Sequence, residues 1–178
     1  MVAIEQRTTP CLIALSRQGC PNLAGSSLDA VRLGGYVVRP APAGKLQLVL
    51  VGTGSEVSLA IAAADAMTDV VAHVVSMPCT ELFDRQSAEH KAVVLPAGVP
   101  VLAVEALAVD GWCKYAHSVV GMRSFGASAP GKDLAKQFGF TTENVVAKAR
   151  ELLAFYNARP VPNLLERADA NEGLPSGH

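Results

Sequence analysis

The sequence predicts an α/β fold in which helices cover both faces of a mixed, mostly parallel sheet. Short runs rich in β-branched residues alternate with helical patterns along the chain. One link between two such runs is too short to contain a crossover helix, so the strands it joins cannot both run in the same direction. We therefore expect three layers, helix on sheet on helix, with about five strands and one of them antiparallel.

The composition is that of one globular domain, and it excludes several classes of function. The chain has 178 residues, of which 50% are hydrophobic and 17% are charged, enough for one sizeable core. Its formal net charge of −1 gives no electrostatic reason to expect nucleic acid or an anionic membrane as a partner. No apolar stretch reaches the roughly 18 residues of a membrane helix, and residues 1–7 lack the pattern of a signal peptide.

The cysteines and histidines show no metal-binding spacing. Cys11, Cys20, Cys79 and Cys113 are irregularly spaced and form no Cys-x-x-Cys pair. We expect reduced, mostly buried thiols in a cytoplasmic protein. The histidines are scattered as well, and His73 is expected to be a hydrogen-bonded histidine within a strand.

Three strands are predicted in the first part of the chain. The apolar run Cys11–Leu15 is the first candidate, and a loop rich in Gly, Pro, Asn and Ser follows it over residues 18–27. Gly35–Arg39 and Leu46–Val51 are the next two strands. The short link Pro40–Gly44 between them predicts the antiparallel strand.

Helices alternate with strands from Gly52 onward. The predicted helices span residues 55–67, 87–95 and 132–138, and the predicted strands span residues 70–76 and 99–104. Thr142 is expected to cap the last helix, which has Glu143 in its first turn and one apolar stripe at helical spacing. We expect residues 1–158 to form the domain and residues 159–178, which contain three prolines, to form a surface strap or a disordered tail.

The segment Gly52–Glu56 lies between a predicted strand and a predicted helix, where backbone N–H groups can bind an anion. Val57 replaces the third glycine of a dinucleotide-binding fingerprint, and Glu56 would place a negative charge beside the phosphate. We interpret the segment as a tight structural turn with a possible capping box between Thr53 and Glu56, or with Ser55 as the cap. A regulatory anion site is the alternative.

Glu105 and Asp110 form an acidic pair near the carboxyl edge of the predicted sheet. Two carboxylates whose pKa values differ can act in acid–base catalysis. We prefer a structural interpretation, in which Asp110 caps a helix and Glu105 contacts a neighbouring domain. A hydrolase is disfavoured because the sequence contains no Gly-x-Ser-x-Gly elbow.

Four motifs occur in order along the chain, namely Ser16-Arg17-Gln18, Gly52-Thr53-Gly54-Ser55-Glu56-Val57, Val75-Ser76-Met77-Pro78 and Phe125-Gly126-Ala127-Ser128-Ala129-Pro130. With this order and spacing, the sequence resembles the C-terminal domain of transketolases from about Thr8 to about Leu153. Trp112, Lys114 and Tyr115 match the family's Trp-x-Lys-Tyr pattern. We expect these three side chains to pack, or to contact neighbouring domains or subunits.

The resemblance implies an enzyme that transfers a two-carbon ketol unit from a ketose phosphate, such as xylulose 5-phosphate, to an aldose phosphate. Transketolases are homodimers that use thiamine diphosphate and Mg²⁺. Their N-terminal domain holds the diphosphate and the metal, and the partner subunit's middle domain supplies a catalytic glutamate. This chain is much shorter than the usual transketolase and lacks a Gly-Asp-Gly metal motif. We therefore expect a detached C-terminal domain, cut from a longer enzyme or separately encoded, that binds no cofactor and is inactive alone.

Arg17 is the residue to which the resemblance gives a role. A guanidinium group binds phosphate through two hydrogen bonds and stays charged. In transketolases the arginine of the Ser-Arg-Gln motif helps to hold the phosphate of the sugar substrate, and Ser16 and Gln18 would position it. The alternative is an arginine at a strand end, paired with a carboxylate.

Other functions stay open on the sequence alone. Dihydroxyacetone synthases and the β-subunits of 2-oxoacid dehydrogenases are related thiamine-dependent enzymes, although Ser16-Arg17-Gln18 favours a phosphosugar enzyme over the dehydrogenases. A stand-alone module that binds an anion at Gly52–Ser55 would show an anion-dependent melting temperature. A structural domain that supplies a dimer contact would instead dimerise regardless of sugar phosphates.

Overall fold

The computed structural model describes residues 2–5, 8–16 and 19–166, and its sheet has five strands in the order β1-β3-β2-β4-β5. The strands are β1 Tyr36–Arg39, β2 Leu48–Gly52, β3 Ala72–Ser76, β4 Val101–Ala108 and β5 Ser118–Met122. β1 is antiparallel to β3, and the other neighbours are parallel. The predicted mixed sheet is confirmed, although β1 pairs with β3 and not with the next strand along the chain.

Helices cover both faces of this sheet, which confirms the three layers. They are α1 Val2–Glu5, α2 Leu28–Arg32, α3 Glu56–Ala66, α4 Thr80–Asp84, α5 Ala88–Val94, the 3₁₀ helix Asp110–Lys114, α6 Gly131–Gln137 and α7 Thr142–Tyr156. On one face α3 packs against α7, where Ala60, Ala63 and Ala149 are fully buried. On the other face, Phe83 of α4 and Trp112 of the 3₁₀ helix enclose a second apolar cluster.

The central strands supply most of the sheet's contribution to the core. Every residue of β2 and β3 is buried. Continuous apolar runs such as Leu48–Val51 are typical of parallel strands that are covered on both faces. Burying an aliphatic side chain fully stabilises the folded state by about 1.5–3 kcal/mol relative to leaving it exposed. The burial of β2 and β3 therefore fixes the positions of their carboxyl ends.

The predicted strand Cys11–Leu15 does not form. Residues 10–16 have no strand structure, and Leu12 and Leu15 are 95% and 84% exposed. The segment lies beside α2 and α4, where it lines a cavity of about 410 Å³, and it pairs with no strand of the described sheet. A strand requires a hydrogen-bonded neighbour, and this run has none along the described sheet. The fifth strand is β5 instead, which the sequence did not reveal because Ser118 and Gly121 leave it with only a short apolar run.

The cap of the last helix differs from the prediction by one residue. The cap is Thr141, whose φ of −126° and ψ of 153° are extended and whose hydroxyl oxygen accepts a hydrogen bond from the Asn144 N–H at 3.3 Å. Thr142 is already helical, so its predicted role as the cap is wrong. Of these two threonines, Thr141 has the extended backbone and the capping hydrogen bond that are typical of an N-cap.

Residues 157–166, which we call the strap, follow α7 and pack against the domain. The Pro162 carbonyl oxygen lies 2.9 Å from the Nε2 atom of His117, and Leu164 packs against the cluster around Phe83 and Trp112. The rest of the predicted tail, residues 167–178, lies outside the described residues.

Two expectations from the composition have different outcomes. The thiols are not mostly buried, since Cys11, Cys20 and Cys113 are exposed and Cys79 is half-buried. A sulfur side chain in a short loop or at a helix end is not drawn into a core that aliphatic residues already fill.

In the described part of the chain, no helix has the length and apolar character needed to cross a membrane.

Candidate functional site

The carboxyl ends of β2, β3 and β4 meet at one edge of the sheet. The strand register places Gly52 beside Ser76 on one side and beside Val104 on the other. Glu105 comes next in β4 and pairs with Gly121 of β5. Open α/β sheets bind their ligands at this edge, so it is the candidate functional site.

A tight turn joins β2 to α3 at this edge. A Cβ atom on Gly52 would lie 2.9 Å from the backbone nitrogen of Val57, so only glycine lets the helix start this close to the strand. Ser55 is the N-cap residue, but its hydroxyl donates to both carboxylate oxygens of Glu56 at 3.1 Å and makes no capping bond. The capping box does not form, because Thr53 accepts the Glu56 N–H through its backbone carbonyl.

Glu105 places a second carboxyl group beside this turn, and only 7% of its surface is exposed. Burial, with a smaller contribution from the Glu56 carboxylate, raises the pKa of Glu105 to about 7, while the Ala106 N–H opposes the shift. Glu105 and Thr53 line a cavity of about 400 Å³. Negative charge from Glu56, and from Glu105 once it ionises, would repel a phosphate here. The geometry therefore favours a structural turn over a regulatory anion site.

The predicted acidic pair of Glu105 and Asp110 does not share a cavity. Asp110 is the first residue of the 3₁₀ helix, whose N-cap is Val109 without a side-chain bond, so Asp110 is not the predicted cap. It lines a different cavity, of about 610 Å³, together with Arg123. The pairing was expected from closeness in sequence, but β4 continues to Ala108 and carries the chain past the edge.

Arg17 and Gln18 lie outside the described residues, so the role of Arg17 stays a prediction. Ser16 is described and exposed, and its hydroxyl oxygen lies 3.6 Å from the position that a Cβ on Gly54 would occupy. Leu12 lines the cavity that contains Glu105. The N-terminal segment therefore crosses the carboxyl edge, and the first residue of the Ser-Arg-Gln motif lies beside the β2–α3 turn.

The Trp-x-Lys-Tyr motif packs within the domain, as expected. Trp112 and Tyr115 are buried, with their ring centroids 6.3 Å apart. Asp84 of α4 accepts hydrogen bonds from the Tyr115 hydroxyl at 2.9 Å and from the Lys114 ammonium group at 2.6 Å, and the second bond raises the pKa of Lys114. Sequence reasoning missed Asp84, because nothing in its local pattern indicates the partners that the fold brings to it.

The histidines differ in how well their ring nitrogens are satisfied. His73 in β3 was expected to be fully hydrogen-bonded, but its buried Nε2 atom has no partner among the described residues. Burial lowers the pKa of His73, and a hydrogen bond to the Val94 backbone opposes this. Both ring nitrogens of His117 are hydrogen-bonded to backbone groups, Nδ1 to the Val101 N–H and Nε2 to the Pro162 carbonyl oxygen. Within the described residues, no three His, Cys, Asp or Glu side chains are grouped to hold a metal ion.

Large apolar side chains are exposed around the same edge. Phe125, in the loop after β5, is 98% exposed, and Leu107 at the end of β4 is 68% exposed. Leu12 and Leu15 of the N-terminal segment add to this surface. Exposed apolar side chains in such number typically mark contact with another protein surface.

Comparison with known proteins identifies relatives across almost the whole chain. Residues 34–141 match the family model of the transketolase-like TK C-terminal domain. Transketolase 1 of Saccharomyces cerevisiae is 42% identical over 168 residues, which are 93% of this chain and 24% of that protein. The chain thus spans about a quarter of the length of the curated relatives it matches.

Solved structures give the same result. A transketolase from Leishmania mexicana is 50% identical, with a TM-score of 0.78 over 83% of this chain and 22% of that one. A mutant transketolase from Pichia stipitis, in a complex with fructose 6-phosphate, is 42% identical, with a TM-score of 0.89 over 94% of this chain and 25% of that one.

Proposed function

The chain belongs to the transketolase family, as its C-terminal domain, and from this premise we propose that it works as one part of a complete transketolase. That enzyme transfers a two-carbon ketol unit from a ketose phosphate, such as xylulose 5-phosphate, to an aldose phosphate. The similarity to transketolases across nearly the whole chain is the observation that carries this proposal.

The cofactor belongs, in this proposal, to the rest of the enzyme. Thiamine diphosphate supplies the carbanion chemistry and Mg²⁺ holds its diphosphate. The residues at the carboxyl edge do not fit a diphosphate, because Glu56 and Glu105 place carboxyl groups beside the turn between β2 and α3. The chain alone is then expected to be inactive.

The exposure of the run Cys11–Leu15 supports a contact with another domain in the complete enzyme. It has the composition of a buried strand, yet Leu12 and Leu15 are almost fully exposed. The family model begins only at residue 34. We infer that this run is covered in the complete enzyme by the domain that precedes it, where it can gain the strand pairing that it lacks here.

Complementation tests this function. We expect no ketol transfer from xylulose 5-phosphate to ribose 5-phosphate by the purified chain with thiamine diphosphate and Mg²⁺. Adding the separately produced N-terminal and middle domains of a transketolase should restore turnover, and the heat-unfolded chain serves as the control. Turnover by the chain alone would refute the placement of the cofactor. Failure to restore turnover, although a complex forms on a sizing column, would refute the function.

Arg17→Ala in the complete enzyme should raise KM for phosphorylated sugars. Loss of a charge-assisted contact costs about 1.5–3 kcal/mol, which is about ten- to more than a hundredfold in KM. An unphosphorylated donor such as hydroxypyruvate should be nearly unaffected, because it presents no phosphate. Steady-state kinetics with both donors measure the difference.

The control for this variant is Arg150, an exposed arginine of α7. Arg150 forms an ion pair with Asp69, remote from the carboxyl edge, with side-chain exposures of 49% and 61%. Arg150→Ala should leave both KM values unchanged. Equal losses for phosphorylated and unphosphorylated donors in Arg17→Ala would contradict the assignment to phosphate.

We also propose that the complete enzyme is a cytoplasmic homodimer. The exposed side chains of Leu107 and Phe125 support a contact with another domain or subunit. The irregular spacing of the four cysteines, which form no Cys-x-x-Cys pair, supports a reducing compartment. Sedimentation of the complete enzyme at micromolar concentration and fractionation of the source cells test the two statements.

A further inference from the structure

His117 lies between β4 and the strap. Its Nδ1 atom lies 3.0 Å from the backbone nitrogen of Val101, and its Nε2 atom lies 2.9 Å from the carbonyl oxygen of Pro162. The Val101 amide can only donate a hydrogen bond, and the Pro162 carbonyl can only accept one. These two contacts therefore require one state of the ring, which is neutral with its hydrogen on Nε2.

Protonation of His117 is incompatible with this arrangement. A second hydrogen, on Nδ1, would point at the Val101 N–H, and two donors that face each other in this half-buried position repel each other and lose the hydrogen bond. The imidazole ring is rigid, and the Tyr156 ring packs edge-on against it at 5.4 Å between centroids. A movement that takes Nδ1 away from Val101 therefore also takes Nε2 away from Pro162.

The strap forms one wall of a cavity of about 610 Å³. Pro162 and Leu164 of the strap line it together with Ser118 and Arg123. Leu164 also packs against the apolar cluster that includes Trp112. Detaching the strap would remove one wall of this cavity and expose part of that cluster.

We propose that His117 is a pH-sensitive switch, and that its protonation releases the strap. This inference goes beyond the proposed function and does not rest on it. Burial lowers the pKa of His117, and the hydrogen bond to Pro162 opposes the shift only in part. Release is therefore expected below the ordinary histidine pKa of 6.5.

The charges around His117 are balanced. The titratable groups that share its two cavities are Asp110, Cys113, Arg123, Lys148, Glu151 and Tyr156. Two of these are acidic and two are basic, and Lys148 pairs with Glu151 at 2.7 Å. The surroundings thus supply no excess negative charge to retain a proton on the ring, and the geometry of its two hydrogen bonds determines the response.

An NMR titration of the chain from about pH 8 to about pH 5 tests the switch. At the upper pH, the ring nitrogen shifts should report the Nε2–H tautomer. Backbone order parameters over residues 160–166 should fall from about 0.85 to below about 0.6. This fall should have the same midpoint as the His117 ring, below 6.5.

Two variants provide the comparison. His117→Gln keeps an amide donor for Pro162 but cannot take up a proton, so its strap should stay ordered across the titration. His90→Gln is the matched control, because His90 Nε2 also contacts a carbonyl oxygen, that of Gly35 at 2.8 Å, and not the strap. It should leave the pH response unchanged.

Three results would overturn the inference. One is a strap that stays ordered while His117 takes up a proton. Another is the same pH-dependent loss of order in His117→Gln. The third is a pH midpoint for the loss of strap order in the natural sequence that differs from the midpoint of the His117 ring titration. This comparison remains decisive even if His117→Gln loosens the strap at every pH.

Discussion

Gly34→Ala is expected to destabilise the fold by about 3–5 kcal/mol, the range of severe point mutations. Gly34 has a φ of +78°, and a Cβ there would lie 2.3 Å from the Phe83 nitrogen and 2.4 Å from the Cys79 carbonyl oxygen. Backbone atoms cannot rotate away as a side chain can, so α4 would have to move as a unit. Urea unfolding monitored by circular dichroism measures the loss.

Gly98→Ala separates the two causes of this destabilisation. Gly98 has a nearly identical φ of +74°, but no atom lies within 4 Å of its added Cβ. We expect Gly98→Ala to lower the free energy of unfolding only by the cost of a left-handed backbone, about 1–2 kcal/mol. Equal losses in the two variants would show that the close approach of Gly34 to α4 is not important.

Glu105→Gln is expected to stabilise the protein by about 3 kcal/mol at about pH 8. The pKa of Glu105 is about 7 in the fold and 4.5 without it, so between these values the folded state binds a proton that the unfolded state does not. The contribution of Glu105 to stability is therefore complete below 4.5 and falls as the pH rises to about 7. Glutamine stays neutral and avoids this loss.

The pH profile of the difference is the decisive measurement. The free energy of unfolding of Glu105→Gln should match that of the natural sequence near pH 4.5 and exceed it increasingly up to about pH 7. Glu56→Gln should give a smaller gain in the same window, because burial contributes more to the shift than the Glu56 charge does. A difference that is constant with pH, or a destabilised Glu105→Gln at pH 8, would contradict the assignment.

The parts of the fold that were predictable are those in which local pattern and burial agree. The run Leu48–Val51 is apolar throughout and is fully buried in the middle of the sheet. The apolar stripe of α7 matches its contact with α3. The run Cys11–Leu15 has an equally apolar pattern, but strand formation depends on a partner, which a local pattern cannot supply. β5 is the converse case. Its apolar pattern is weak, but pairing with the neighbouring strand β4 makes the segment a strand.

The candidate site was predictable only in part. The tight turn between β2 and α3 was predicted, because its glycines lie between a predicted strand and a predicted helix. The neighbours of its charged groups could not be predicted, because they are brought together by the fold. Glu105 lies beside Glu56 and not beside Asp110, and Asp84 unites Lys114 with Tyr115.

The exposed run Cys11–Leu15 has a consequence for how the enzyme must be made. An uncharged apolar segment of this length without a strand partner can pair with its own copies and start aggregation. A C-terminal domain leaves the ribosome last, when the domains before it have already folded. In the proposed complete enzyme, the preceding domain can then cover the run as it emerges. The order of synthesis would thus protect this segment, and a charged substitution at Leu12 or Leu15 is expected to reduce aggregation of the domain produced by itself.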